Sequence, residues 1–169
     1  MITLRDGSPV LIRQIRAADT QLVADIFGRL SDTSRWLQFL GKKELSPAEL
    51  RYLTEVDHHD HEALAALDQA SGRGVGVARY IRLTGRPQTA EVAVTVVDGW
   101  QGRGLGTELL TQLSGRARQE GIRRFIAVAS ADNAAAAGLL RTAGAELVRC
   151  GHGTAESEIT LTPAAVGLR

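Results

Sequence analysis

Val94-Thr95-Val96-Val97-Asp98-Gly99-Trp100-Gln101-Gly102-Arg103-Gly104-Leu105-Gly106 decides how this chain is read. A β-branched run ends, a glycine-rich turn follows, and a helical pattern starts at once. Leu105, Leu109, Leu110, Leu113 and Ala117 then recur on one side up to a stop at Gly121. The first amides of a helix have no internal partner and point back at the turn. With the helix dipole they attract an anion, and glycine lets the backbone approach a phosphate with no Cβ between them.

Three nucleotide-binding readings and one plain one compete for this turn. A Walker loop ends in Gly-Lys-Ser/Thr, whereas Gly106-Thr107 has no lysine. A dinucleotide fingerprint spaces its glycines as G-x-G-x-x-G, but Gly102, Gly104 and Gly106 fall at every second position. The pyrophosphate turn of acyl-CoA enzymes is the third reading. A simple tight turn is the fourth.

Outward from the turn, the pattern predicts a mixed α/β sheet. Upstream, Val10 to Arg16 is a strand, and Asp19 caps a helix running to about Leu30. A short helical turn is expected over Ser34 to Leu40. Ser46-Pro47-Ala48-Glu49 joins an N-cap, a first-turn proline and a capping-box acid, so a helix runs to about Thr54. His61 to Asp68 fits strand or helix by pattern. Val75 to Leu83 and Thr89 to Val97 read as strands, with Gly72-Arg73-Gly74 and Arg86-Pro87 as turns, so a three-strand antiparallel meander favours strand for His61 to Asp68.

Downstream, helix and strand alternate. Arg123 to Ala129 is a strand, and Asp132 or Asn133 caps a helix closed by Gly144. Ala145 to Cys150 and Glu156 to Leu161 finish the sheet. No linker or repeat divides residues 1–169, which read as one domain with a loose tail from Pro163.

The composition fits a soluble globular chain, with 44% apolar and 23% charged residues. No apolar run approaches the roughly 18 residues of a membrane span, and the N-terminus has no secretory pattern. The net charge of +1 argues against nucleic acid as the main partner. Cys150 is the single cysteine, so no internal disulfide forms and a cytoplasmic location is expected. Arg116, Arg118, Arg123 and Arg124 form a basic cluster, read first as a solvated helix end and second as a grip on a phosphorylated ligand. Asp57-His58-His59-Asp60-His61 fits no standard zinc spacing, so no metal is expected. A surface loop, or a contact to a protein substrate, are its readings.

Gln101-Gly102-Arg103-Gly104-Leu105-Gly106 resembles the Gln/Arg-x-x-Gly-x-Gly/Ala signature of the GCN5-related N-acetyltransferases (GNAT). The resemblance covers most of the chain, including Asn133 with its alanine-rich helix and Gly144. It implies the GNAT fold, a mixed and mostly antiparallel sheet of six to seven strands flanked by about four helices. It also implies acetyl-CoA as co-substrate. The amides of Gln101, Gly102, Arg103, Gly104, Leu105 and Gly106 would bind its pyrophosphate. Val96 and Val97 would pair with the pantetheine arm, and Asn133 would sit near the pantetheine or the adenine-side phosphates.

A narrower resemblance links Asp6-Gly7-Ser8-Pro9-Val10-Leu11-Ile12-Arg13 and Leu30-Ser31-Asp32-Thr33-Ser34-Arg35-Trp36-Leu37-Gln38-Phe39 to bacterial protein lysine acetyltransferases of the Pat type. Such enzymes acetylate a lysine of AMP-forming acyl-CoA synthetases, which implies such a synthetase as partner. They often carry an attached cyclic-nucleotide or other regulatory domain, for which 169 residues leave no room. Trp36 and Phe39 read as packing residues or as walls of the acceptor site.

The chemistry requires an amine to lose a proton before attacking a thioester, because a lysine has a reference pKa of about 10.4. Alternation places Glu91, Ala93, Thr95 and Val97 on one face of their strand. A carboxylate buried there would have a raised pKa suited to a base, whereas one at the wet start of the strand would do nothing. Pat-like enzymes place a base glutamate at this position, which favours Glu91. Many superfamily members carry a tyrosine where Leu140 stands, so the acid for the thiolate is open. A small-molecule amine acetyltransferase and a catalytically silent acyl-CoA sensor are the competing functions.

Overall fold

The computed structural model describes residues 1–31, 44–130 and 132–161, with the side chain of residue 149 left aside. The turn expected over Ser34 to Leu40, with Trp36 and Phe39, lies outside these residues, as does the tail from Pro163.

In chain order the strands are β1 (Ile2–Thr3), β2 (Pro9–Gln14), β3 (His61–Asp68), β4 (Gly74–Leu83), β5 (Arg86–Val96), β6 (Arg124–Ser130), β7 (Glu146–Gly151) and β8 (Thr154–Thr160). The α-helices are α1 (Thr20–Gly28), α2 (Pro47–Thr54), α3 (Leu105–Gln119) and α4 (Ala134–Thr142). The strands form one sheet ordered β1-β2-β3-β4-β5-β6-β8-β7, parallel between β5 and β6 and antiparallel elsewhere. This is the expected mixed, mostly antiparallel sheet, with His61–Asp68 as a strand. It has eight strands among the described residues, against the six to seven expected. The addition is β1, whose two residues pair with Val10 and Pro9 and are too few to show a period in sequence.

Helices cover both faces. On one, Leu105, Leu109 and Leu113 of α3 are buried against Leu64, Ala78 and Tyr80. Each fully buried leucine contributes about 1.5–3 kcal/mol. On the other, Val23 and Ile26 of α1 meet Ala63, Ala65 and Val77, with Leu50 and Leu53 of α2 beside them. No helix among the described residues is long and apolar enough to cross a membrane.

Local signals were realised unevenly. The Ser46 capping box forms in full, with Glu49 N donating to Ser46 Oγ at 3.1 Å and Ser46 N to Glu49 Oε2 at 2.7 Å. Asp19 is the N-cap residue of α1 as expected, but its side chain makes no cap bond there and instead closes the preceding 3-10 turn. It accepts from Arg16 N at 2.7 Å and from both Nη atoms of Arg13 at 2.7 and 2.9 Å. A bidentate guanidinium is a stronger partner than a helix amide, so the carboxylate turns to it. Arg86-Pro87, expected as a turn, begins β5. The turn is Thr84-Gly85, where Gly85 has φ of 77°. Pro87 precedes Thr89, where pairing with β6 starts, so on that side its missing N–H breaks no ladder bond.

Candidate active site

β5 and β6 pair only from Thr89 to Glu91, opposite Arg124 to Ile126. Beyond Glu91 they part, and a groove of about 770 Å³ opens between them. Val92 to Val96 line one wall, Ala127 to Ala129 and the start of α4 the other, and the glycine turn closes the mouth.

The backbone of β5 prepares the groove. Val97 N–H donates to Val75 O at 2.9 Å, on β4's side. Alternation therefore directs the amides of Thr95 and Ala93 to β4, and those of Val94 and Val96 to the side β6 has left. Val96 lines the groove, and its carbonyl accepts from Gln101 Nε2 at 3.0 Å, which folds the turn onto the strand end. Val97 does not line it: its side chain is buried and its amide is committed to Val75.

At the mouth, Gly102 and Gly104 have φ of 76° and 90°, a region that L side chains rarely adopt. Gly104 is the N-cap of α3, and no side chain caps this 15-residue helix. Its first amides are thus left for a ligand. Gln101, Gly102, Gly104, Leu105 and Gly106 line the groove, with the Leu105 side chain buried beneath. Arg103 is turned away. Its guanidinium stacks over Trp100 at 4.5 Å, pairs with Asp6 at 3.2 Å and donates to Ser8 Oγ at 3.3 Å. Asn133 lines the opposite wall, where its Oδ1 accepts from Ala136 N at 3.0 Å as the N-cap of α4.

Glu91 stands at the apex of the fork, on the sheet face away from α3, and lines the groove. It is exposed, so of its two readings, a carboxylate buried in an apolar strand and one at the strand's wet start, the structure has the second. Alternation turns Ala90 and Val92 towards α3, and on Glu91's face the described helices α1 and α2 pack over β3 and β4 instead. Leu140 lines the groove too. Tyr80 is buried in the core and donates to His59 O at 3.1 Å, while Tyr52 is exposed on α2, and neither lines the groove.

Several singled-out residues lie elsewhere. Arg116 pairs with Glu62 and Arg124 with Glu158, and none of the four clustered arginines lines the groove. Asp57 accepts the amides of His59, Asp60 and His61, each at 2.9 Å, which folds the histidine-rich loop. His58 bonds Glu62, and His59 bonds Glu120. His61 accepts from Arg79 Nη1 at 3.0 Å, and burial beside that cation pushes its pKa down to about 4. Among the described residues no cluster of three or more His, Cys, Asp or Glu side chains could hold a metal. Cys150 is exposed on β7.

Sequence reasoning missed Arg5, Ser31 and Asp98. Asp98 holds Ser31 through its N at 3.0 Å and its Oγ at 2.8 Å, and both residues line the groove. These contacts join residues 67 positions apart, which no local pattern encodes.

The chain belongs to the acetyltransferase (GNAT) family, whose pattern matches residues 30–145, and it is an acetyltransferase. It is 39% identical over 136 residues to Acetyltransferase PA5475 of Pseudomonas aeruginosa, covering 79% of this chain and 73% of that protein. It is 30% identical to Acetyltransferase Pat of Mycolicibacterium smegmatis, over 96% of this chain but 49% of that protein, so it spans about half of Pat's length. The GNAT domain of S. lividans PAT superposes with a TM-score of 0.88 at 30% identity, covering 95% of each chain.

Proposed function

We propose that the chain transfers an acetyl group from acetyl-CoA to the Nε of a lysine on a protein, an AMP-forming acyl-CoA synthetase, by direct transfer in a ternary complex. The fork carries this reading. It presents a carboxylate at its apex, strand amides along one wall and an uncapped helix start at its mouth.

CoA's pyrophosphate would lie on the amides of the glycine turn, and its pantetheine arm along Val94 and Val96, opposite Asn133. The acceptor would enter from the other face, where Glu91 and Ala93 are exposed. Glu91 takes the ammonium proton, directly or through water. The amine nitrogen then forms a bond to the thioester carbonyl carbon, and the Val96 amide stabilises the oxyanion. The C–S bond breaks and CoA leaves as a thiolate, while the proton that the attacking nitrogen still carries in excess passes through water to that thiolate, since Leu140 offers none.

Support for the protein acceptor comes from the likeness to Pat and from the exposed face around Glu91. The test is to incubate the protein with acetyl-CoA and a panel of acyl-CoA synthetases, following lysine acetylation and CoA release. Acetylation of one synthetase, lost with Glu91→Gln, is expected. CoA release only with small amines would overturn the protein acceptor.

A further inference from the structure

The groove's mouth carries a cation that the family signature does not contain. Among the described residues lining the groove, Arg5 is the one arginine or lysine. It follows β1 at the start of a tight turn, in which Leu4 N donates to Ser8 O at 2.9 Å and Gly7 has φ of 88°. Its guanidinium lies against Gly104: a Cβ built there would meet Arg5 Nε at 3.1 Å and Nη2 at 3.3 Å. Arg5 is exposed and makes no hydrogen bond or ion pair with another described residue.

Arg103 explains this placement. As the arginine of the glycine turn it is the obvious phosphate ligand, yet it reaches back to Asp6 and Ser8. Ser8 N also donates to Asp6 Oδ1 at 3.0 Å. The hydrogen bonds from Ser8 and the nearby Arg103 charge hold the Asp6 carboxyl below its usual pKa, so it stays ionised. Arg103 thereby fastens the β1–β2 turn under the glycine turn, and Arg5, one residue before Asp6, is carried to the helix start.

We infer that Arg5 binds the pyrophosphate of CoA, and that Arg103 is the positioning residue that delivers it. This rests on the acyl-CoA reading of the groove. A guanidinium offers a planar fork of donors suited to phosphate oxygens, and it stands beside the helix end that already attracts negative charge. The amides grip the diphosphate from within the turn, and Arg5 closes on it from the N-terminal side.

The test is calorimetric titration of CoA and of dephospho-CoA, which lacks the 3′-phosphate, into the wild type, Arg5→Gln and Arg5→Lys. Arg5→Gln is expected to weaken both ligands by about the same factor, roughly ten-fold, and Arg5→Lys to restore part of it. In turnover, KM for acetyl-CoA rises while kcat at saturation is kept. Melting of the ligand-free protein is unmoved, because the exposed Arg5 side chain makes no bond with another described residue. Unchanged affinity of Arg5→Gln for both ligands would overturn the inference. So would a loss confined to CoA, which places the contact on the 3′-phosphate. Failure of the wild type to bind either ligand would remove the acyl-CoA reading itself.

Discussion

Glu91 and Ile126 are the last residues paired between β5 and β6, and the groove begins where their pairing stops. This register places a carboxylate at the point where the sheet opens. The alternation that exposes Glu91 on one face keeps Ala90 and Val92 in the core on the other.

Glu91→Gln keeps the side chain's size and removes its basicity. We expect kcat to fall about 100-fold or more, with the Kd for acetyl-CoA unchanged. The deficit should shrink as pH rises and the amine deprotonates unaided. Steady-state turnover against pH, paired with equilibrium binding, checks this. Wild-type turnover in the variant would remove Glu91 from the mechanism.

Gly104→Ala forces an alanine to φ of 90° and pushes a Cβ at Arg5. The backbone term is about 1–2 kcal/mol, visible as a lower melting temperature. The displaced Arg5 adds a loss of CoA affinity. Gly106→Ala is the milder change, since its Cβ would meet Leu139 at an ordinary 3.5 Å. Equal effects at the two positions would contradict this account.

Glu62 is fully buried and receives hydrogen bonds from Gln14, His58, Ala63 N and Arg116. Burial alone would raise its pKa, but these bonds outweigh it and hold it below the ordinary 4.5. The folded pKa is thus lower than the unfolded one. The stabilisation is complete above about pH 5 and is lost as pH falls through the folded value. Glu62→Gln should cost about 3 kcal/mol at neutral pH and flatten the acid limb in urea denaturation. An acid limb as steep as the wild type's would show that other carboxylates set it.

His61 has the opposite sense. Its folded pKa of about 4 lies below its unfolded 6.5, so the unfolded chain binds the proton first. Stability therefore falls as pH drops from about 6.5 towards 4. Glu62 is expected to contribute little slope above pH 5, which isolates this window. His61→Gln keeps an acceptor for Arg79 and should lessen the slope between pH 6.5 and 5. An unaltered slope would mean that His61 is not the group titrating there.

Much of this architecture was legible in short stretches of chain. The Ser46 capping box, the apolar stripe of α3, the meander and the glycine turn each depend on residues within a few positions of one another. Neighbours that close meet unless a stronger competing partner or turn intervenes. The Asp19 side chain and Arg86-Pro87 misled for that reason: a local signal was outcompeted by Arg13 in one case and by Gly85 in the other.

The sequence by itself determined the helix start behind a strand end, its glycines, and hence an anion-binding turn. Tertiary structure alone decided where β5 and β6 part, that Glu91 is exposed at that point, and that Arg103 turns away while Arg5 takes the groove's mouth. Register between strands and ion pairs across 97 positions, as between Asp6 and Arg103, depend on how whole elements dock. Docking is set by burial summed over the core, and no spacing along the chain records it.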